Sequence, residues 1–230
     1  EAVAGQRMMT SYIRIGGVSM EPPIGLLDMI QAFLLDFPSK IDQYEGLLQN
    51  NPIWIGRLKG IGYISPADAI ALGVTGPPLR AAGVDFDVRR DMPYSSYEKF
   101  QFKVPTSTVS DVWARYEVRM IEMRESVKIC LQALDGMPEG RIVADAPKII
   151  LPDREHMKTQ MESLIHHFKI VTEGFGVPAG EATSSVEAAH GMMNYYVVSD
   201  GTAKPYRVHM RNADYANLRK INKGIVLASI

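Results

Sequence analysis

The chain has 230 residues, of which 46% are hydrophobic and 22% charged, with 25 basic against 26 acidic side chains. That length and apolar content suffice for a packed core, while a formal charge of -1 supplies no field to attract nucleic acid or an anionic membrane surface. The single cysteine, Cys130, excludes an internal disulfide and any metal or iron–sulfur site built on several thiolates, and it fits a reducing compartment.

From Pro22 to Asn50, apolar residues fall at Leu27, Ile30, Leu34, Phe37, Ile41, Tyr44 and Leu48. Steps of three and four predict a helical seam, with Pro38 expected to kink or divide the helix. Ser65-Pro66 reads as an N-cap and first-turn proline of a short helix ending before Gly73. The stretch that follows, "GVTGPPLRAAGVDFDVRRDMPY", is too rich in glycine and proline for an ordinary helix. It is also too apolar for a solvated tether, so it should be a stiff loop packed against something.

"YEKFQFKVP" alternates like a short strand, after which Ser110 or Thr108 should cap a long helix running to Gly136. Its predicted seam is Trp113, Tyr116, Met120, Met123, Val127, Cys130 and Leu134, which puts Cys130 on the buried stripe. A third helix should start near Asp153, carry Met157, Met161, Leu164, Phe168 and Val171 on one face, and end at Gly174. The C-terminal third turns β-rich on both sides of Asp200-Gly201, a strong hairpin signal. The predicted fold is α+β and mainly α, a helical bundle core with a small antiparallel hairpin or sheet near the C-terminus, in one domain over residues 1–230. No apolar run approaches the ~20 residues that cross a bilayer. A start at Glu1 without methionine and an apolar ending, "GIVLASI", suggest a fragment of a longer protein.

Chemistry is sparse. His166 and His167 are helix neighbours about 100° apart and cannot grip one metal together, and His156 and His167 on one straight helix would lie ~16 Å apart. Gly60 and Gly62 lack the rest of a dinucleotide fingerprint, and no phosphate-cradling G-x-x-x-x-G-K-[ST] exists. Glu181 and Glu187 share a pleat face of a predicted strand, with solvation as their default state. Thirteen methionines suit an irregular core or an adaptable interface.

Longer stretches carry more. "GQRMMTSYIRIGGV", "GVTGPPLRAAGVDFDVRRDMPYSSYEKFQFKVP", "VRMIEMRESVKI", "LIHHFKIVTEGFGVPAGE" and "YYVVSDGTAKPYRVHMR" occur in that order. Together they resemble the D-subunit family of bacterial respiratory complex I, the 49-kDa subunit family of mitochondria, related to nickel–iron hydrogenase large subunits. The resemblance implies a hydrogenase-large-subunit-like fold without the paired Cys-x-x-Cys ligands. It further implies a peripheral-arm subunit of a proton-translocating NADH:quinone oxidoreductase, inactive alone. Its chief partner would be the iron–sulfur subunit carrying the terminal 4Fe-4S cluster, with a quinone between them. NADH, FMN and the other clusters would sit in other subunits, and the complex on the cytoplasmic side of the bacterial inner membrane.

The family's quinone-contacting tyrosine and histidine lie upstream of the segment matching Glu1. Arg7, Met9, Tyr12 and Arg14 match the family's first motif near the terminal cluster, with Met9 where some members have a histidine. Arg80, Asp87, Arg89 and Arg90 belong to the stiff loop, where arginine forks serve either an interface or a self-contained salt-bridged loop. The other reading is a non-catalytic scaffold subunit of a related membrane-bound hydrogenase or dehydrogenase complex. Upstream residues would separate the two, Tyr and His favouring quinone and Cys-x-x-Cys favouring hydrogenase.

Overall fold

The computed structural model describes residues 1–218; the ending "RKINKGIVLASI", with the apolar run read as a cut element, lies outside the described residues. In chain order the elements are β1 (Ile13–Arg14), β2 (Gly17–Val18), α1 (Leu26–Leu48), α2 (Pro52–Leu58), α3 (Pro66–Ala71), α4 (Pro77–Ala81) and α5 (Val88–Asp91). They continue with α6 (Val112–Asp135), α7 (Arg154–Thr159), α8 (Met161–Thr172), β3 (Gly180–Ala188), β4 (Gly191–Ser199), β5 (Arg207–Arg211) and α9 (Ala213–Leu218). The fold is therefore α+β, with a two-stranded sheet and a three-stranded sheet of order β3-β4-β5. Two compact units divide the chain. One holds Glu1–Ile30, Met137–Ala182 and Val197–Val208, the other Gln31–Gly136, Thr183–Tyr196 and, of the described residues, 209–218.

In the first unit, "SYIRIGGV" folds as a miniature antiparallel hairpin, Ile13 opposite Val18 and Arg14 opposite Gly17. Gly16 and Gly17 turn it with positive φ and let residues 142–144 approach, Ala144 N donating to Gly16 O at 2.8 Å. The predicted third helix begins where expected, at Asp153, but is two helices. Gln160 is extended (φ -125°, ψ 118°) and separates α7 from α8. The face read as its seam is largely open to solvent, with Met161, Leu164, Phe168 and Val171 all exposed. Periodicity marks an apolar face without saying what covers it.

The second unit is built around α6. One apolar cluster joins Ile64, Ala69, Val74, Leu79 and Ala82, and another joins Leu58 of α2 to Val112 and Trp113 of α6. Ala81 of α4 meets Ala114 and Val118 of α6, small residues that allow close approach of the two helices. α1 runs unbroken through Pro38, against the expected division, because one missing N–H removes only one bond from a 23-residue helix. Of its predicted seam, Leu34 and Ile41 are buried, whereas Leu27 and Tyr44 are exposed.

Asp111, not Ser110 or Thr108, caps α6, its Oδ1 accepting from Ala114 N at 2.7 Å. Ser110 instead turns inward with positive φ and donates to Ile64 O. The helix stops at Gly136 as predicted. Cys130 is exposed, which corrects its place on the seam, and the buried side of α6 includes Arg115 and Glu125. A rule that seeks only apolar residues passes over such polar ones.

"YEKFQFKVP" forms no ladder. Tyr97–Lys99 is a 3-10 turn. Beyond it, Gln101 N donates to Gln132 Oε1 at 2.9 Å, Lys103 N to Glu125 Oε2 at 3.0 Å, and Gln132 Nε2 to Gln101 O at 2.8 Å. Side chains of α6 thus satisfy backbone groups that a neighbouring strand would otherwise take.

Asp200-Gly201 does connect two strands, in a loop wider than a tight hairpin, with Asp200 Oδ1 accepting from Thr202 N and Thr202 Oγ1. The tight turn joins β3 to β4 at Ala189 and His190, and it presses on the stiff loop. A Cβ at Gly76 (φ 72°) would stand 2.3 Å from Gly191 Cα. Gly76→Ala should therefore lose about 1–3 kcal/mol from the dihedral alone, plus the backbone shift needed to clear Gly191. A urea midpoint equal to wild type would refute this contact.

Candidate functional site

The stiff loop is the centre of the second unit. Gly76 begins α4 in a conformation natural to glycine, and Pro77 and Pro78 occupy its first turn, where their missing N–H groups have no intrahelical partner to lose. This short helix buries all five of its residues and delivers Arg80, only 1% exposed, into the interior.

Arg80 is a hub. Its Nε lies 2.7 Å from Glu122 Oε1 of α6, its Nη2 lies 2.9 Å from Glu187 Oε1 of β3, and its Nη1 faces Phe86 O at 3.3 Å and Asp87 Oδ2 at 3.4 Å. Asp87, fully buried, caps α5 by accepting from Arg89 N at 2.9 Å. It also takes a bidentate fork from Arg89, Nε at 3.0 Å and Nη2 at 2.7 Å, while Arg89 lies over the Phe102 ring.

The β3–β4 turn is held to the same loop at several points. Glu187 N donates to Tyr94 Oη at 2.9 Å and Met192 N to Thr75 Oγ1 at 3.0 Å. Arg211 donates to Gly73 O and Met192 O, and His190 Nδ1 faces Asp214 Oδ1 at 3.0 Å.

Burial works against the charge of Arg80, yet Glu122, Glu187 and Asp87 together raise its pKa above that of a free arginine. Burial also opposes ionisation of Asp87, but the Arg89 hydrogen bonds and the Arg80 charge hold its carboxyl below the usual aspartate range. Glu187 goes the other way, raised by burial against the pull of Arg80 and with Asp87 adding like charge. Arg115 is lowered to about 10 by burial, its guanidinium answered by the carbonyls of Gly62 and Ser110.

The structure thus brings together Arg80, Asp87 and Arg89, three of the four loop residues read from sequence. Arg90 is apart, on the surface, pairing with Asp85 at 2.8 Å and Asp91 at 2.9 Å. Arg7, Met9, Tyr12 and Arg14 belong to the first unit. Met9 is 88% exposed with φ 46°, Arg7 pairs with Glu1, and Arg14 Nε donates to Ser11 O. Arg14 also lines an open cavity of about 1050 Å³ together with Arg141, His156 and His167. The two histidines thus line one cavity, His156 from α7 and His167 from α8.

Sequence reasoning missed Glu122, Glu187, Tyr94 and Thr75. Glu187 is 7% exposed at its side chain, which overturns solvation as its default. For Glu122 a signal existed, since Ala114, Val118 and Glu122 recur every four residues along the α6 face that meets α4.

The chain belongs to the respiratory-chain NADH dehydrogenase 49-kDa subunit family, whose model matches residues 1–229. It is 65% identical over 221 residues to the D 2 subunit of NADH-quinone oxidoreductase of Koribacter versatilis, covering 96% of this chain and 55% of that protein. The D 1 subunit of the same kind of enzyme in Solibacter usitatus is 62% identical over 223 residues, 97% of this chain and 54% of that protein. The corresponding D subunit of Geotalea uraniireducens is 49% identical over 233 residues, 100% of this chain and 60% of that protein. The chain spans about half to three-fifths of the length of these curated relatives.

Replacing Arg80 by Ala takes the cation from Glu122 and Glu187, Asp87 keeping its Arg89 fork, and should destabilise the second unit by about 3–5 kcal/mol, read as a lower urea midpoint; an unchanged midpoint would remove Arg80 from the hub. Cys130, exposed but with its thiol pushed up by burial of its surroundings, should be alkylated to completion in the native state, more slowly at neutral pH than a free cysteine. Complete protection from the reagent would restore it to the packed seam.

Proposed function

We propose that this chain is the D-subunit portion of a peripheral arm in a proton-translocating NADH:quinone oxidoreductase. It helps form the quinone headgroup pocket beside the iron–sulfur subunit that carries the terminal 4Fe-4S cluster. The observation that carries this reading is the match of the family model to residues 1–229, supported by relatives named as D subunits of NADH-quinone oxidoreductase. In this reading NADH, FMN and the clusters belong to other subunits, which do the redox chemistry, and this chain contributes shape and electrostatics. The complex lies at the cytoplasmic side of the bacterial inner membrane, and the chain is attached through its partners. Among the described residues, no helix is long and apolar enough to cross a bilayer.

Two features support the division of labour. Exposed Met9 and Arg7, with the Tyr12 and Arg14 hairpin, offer side chains toward a redox partner, and we assign them the cluster-proximal role. The Arg80 hub keeps its own loop rigid, a hydrogenase-large-subunit-like fold serving as frame. Among the described residues, no group of three His, Cys, Asp or Glu side chains has metal-holding geometry.

The test is purification of the native assembly through a tag on the full-length subunit, with mass spectrometry and an NADH:quinone assay. We expect the iron–sulfur subunit to co-purify with NADH-dependent quinone reduction. Arg14→Ala in that assembly should lower quinone reduction while leaving NADH oxidation by an artificial acceptor intact. An assembly that reduces protons or carries no quinone activity would overturn the reading in favour of a hydrogenase-type scaffold.

A further inference from the structure

Around Arg80 the charges do not pair one to one. The carboxylates of Asp87, Glu122 and Glu187 face the guanidiniums of Arg80 and Arg89. Arg89 is committed to Asp87 through both Nε and Nη2. That leaves Arg80, with contacts of 2.7 Å to Glu122 and 2.9 Å to Glu187, as the cation for two carboxylates. Arg119 of α6 is the next cation. Among the described residues it has no carboxylate within ion-pair distance, it reaches Ala189 O at 3.4 Å, and of the two carboxylates its charge acts on Glu122. Tyr94 presents its hydroxyl oxygen to Glu187 N. At the turn itself, His190 faces Asp214.

Two carboxylates sharing one cation away from water cannot both carry full charge without a large desolvation cost, and the more buried of the two takes up a proton most readily. Glu187, 7% exposed, is more buried than Glu122, 16% exposed. We propose that Glu187 holds a proton while the β3–β4 turn is seated on the Thr75–Arg80 loop, making this contact a proton-dependent latch that loosens as the pH rises. A protonated Glu187 keeps an acceptor oxygen for Arg80 Nη2, so the hydrogen bond survives and only the excess buried charge is removed. The proton comes from solvent as the turn seats and returns to solvent as it lifts.

The direction follows from linkage. Burial raises the Glu187 carboxyl above the usual glutamate range. Its contribution is therefore complete below the ordinary glutamate value and is lost as the pH climbs through the raised one. Asp87, Asp91 and Glu125 are shifted downward, so their contributions are lost only on the acid side and have the opposite sign.

The experiment is hydrogen exchange by mass spectrometry on the full-length subunit in its assembly, following the peptide over residues 183–196 between about pH 6 and pH 8.5. Intrinsic rates are divided out with an unstructured reference peptide. Wild type should lose protection as the pH rises across that window. Glu187→Gln, a stand-in for the protonated acid, should lose clearly less than wild type and be at least as protected at the alkaline end. Glu122→Gln, which leaves Arg80 to Glu187 alone, should reduce the loss as well. His190 and Asp214 are intact in all three proteins, so what that pair contributes is common to them and drops out of the difference from wild type. Equal pH dependence in wild type and Glu187→Gln would overturn the latch, as would persistence of the full wild-type response in Glu122→Gln. Failure of Glu187→Gln to assemble would do so too, because the neutral isostere is the state proposed to be native.

Discussion

One guanidinium, that of Arg80, ties together three parts of the second unit that are far apart in sequence: the stiff loop, α6 through Glu122, and β3 through Glu187. A cation that is 1% exposed is tolerable only if its donors are matched, and each contact made by Arg80 is to a carboxylate or a carbonyl. Such a hub adds little net stability over a well-packed apolar substitute. What it supplies is register, because a fork with donors in fixed directions accepts only one arrangement of three neighbours. The rest of the unit has the form of a frame that keeps those neighbours in place.

That frame depends on groups as small as the hub is large. Ala81 against Ala114 and Val118 lets α4 lie close to α6, and Gly76 against Gly191 lets the β3–β4 turn reach the loop. The prolines at the start of α4 limit the alternatives open to the unfolded segment, so ordering it loses less entropy, whereas Gly76 serves by its positive φ and its missing Cβ. The composition that argued against a helix therefore describes a helix about one turn and a half long, held by its surroundings rather than by its own propensity.

Legibility in the sequence followed the kind of force involved. Local signals were read well. Ser65-Pro66 opens α3, Gly136 closes α6, and the strand-rich region around Asp200-Gly201 is β4 and β5. Seams were read in part, since periodicity located Leu34, Ile41, Trp113, Met120 and Val127 inside but placed Cys130 there too. The failures are long-range. Glu187 looks like any strand glutamate until Arg80, 107 residues away, is seen beside it. The split between α7 and α8 has no proline or glycine to announce it, and the exposed α8 face reads the same as a buried one. Arg80, Asp87 and Arg89 were legible as a group because their sequence spacing keeps them near one another, whereas Glu122 required knowing which face of α6 meets α4.

The segment after the Tyr97–Lys99 turn has a consequence of another kind. A β-ladder is indifferent to side-chain identity, since any residue except proline brings the same donor and acceptor. Here the backbone of Gln101 and Lys103 is satisfied by the Gln132 amide and the Glu125 carboxylate. The shape of this stretch is thus encoded in two codons of a distant helix. Drift at position 125 or 132 would leave main-chain groups 22 or 31 residues upstream without their partners, so the tolerance to substitution of this stretch is set in α6 rather than in its own side chains.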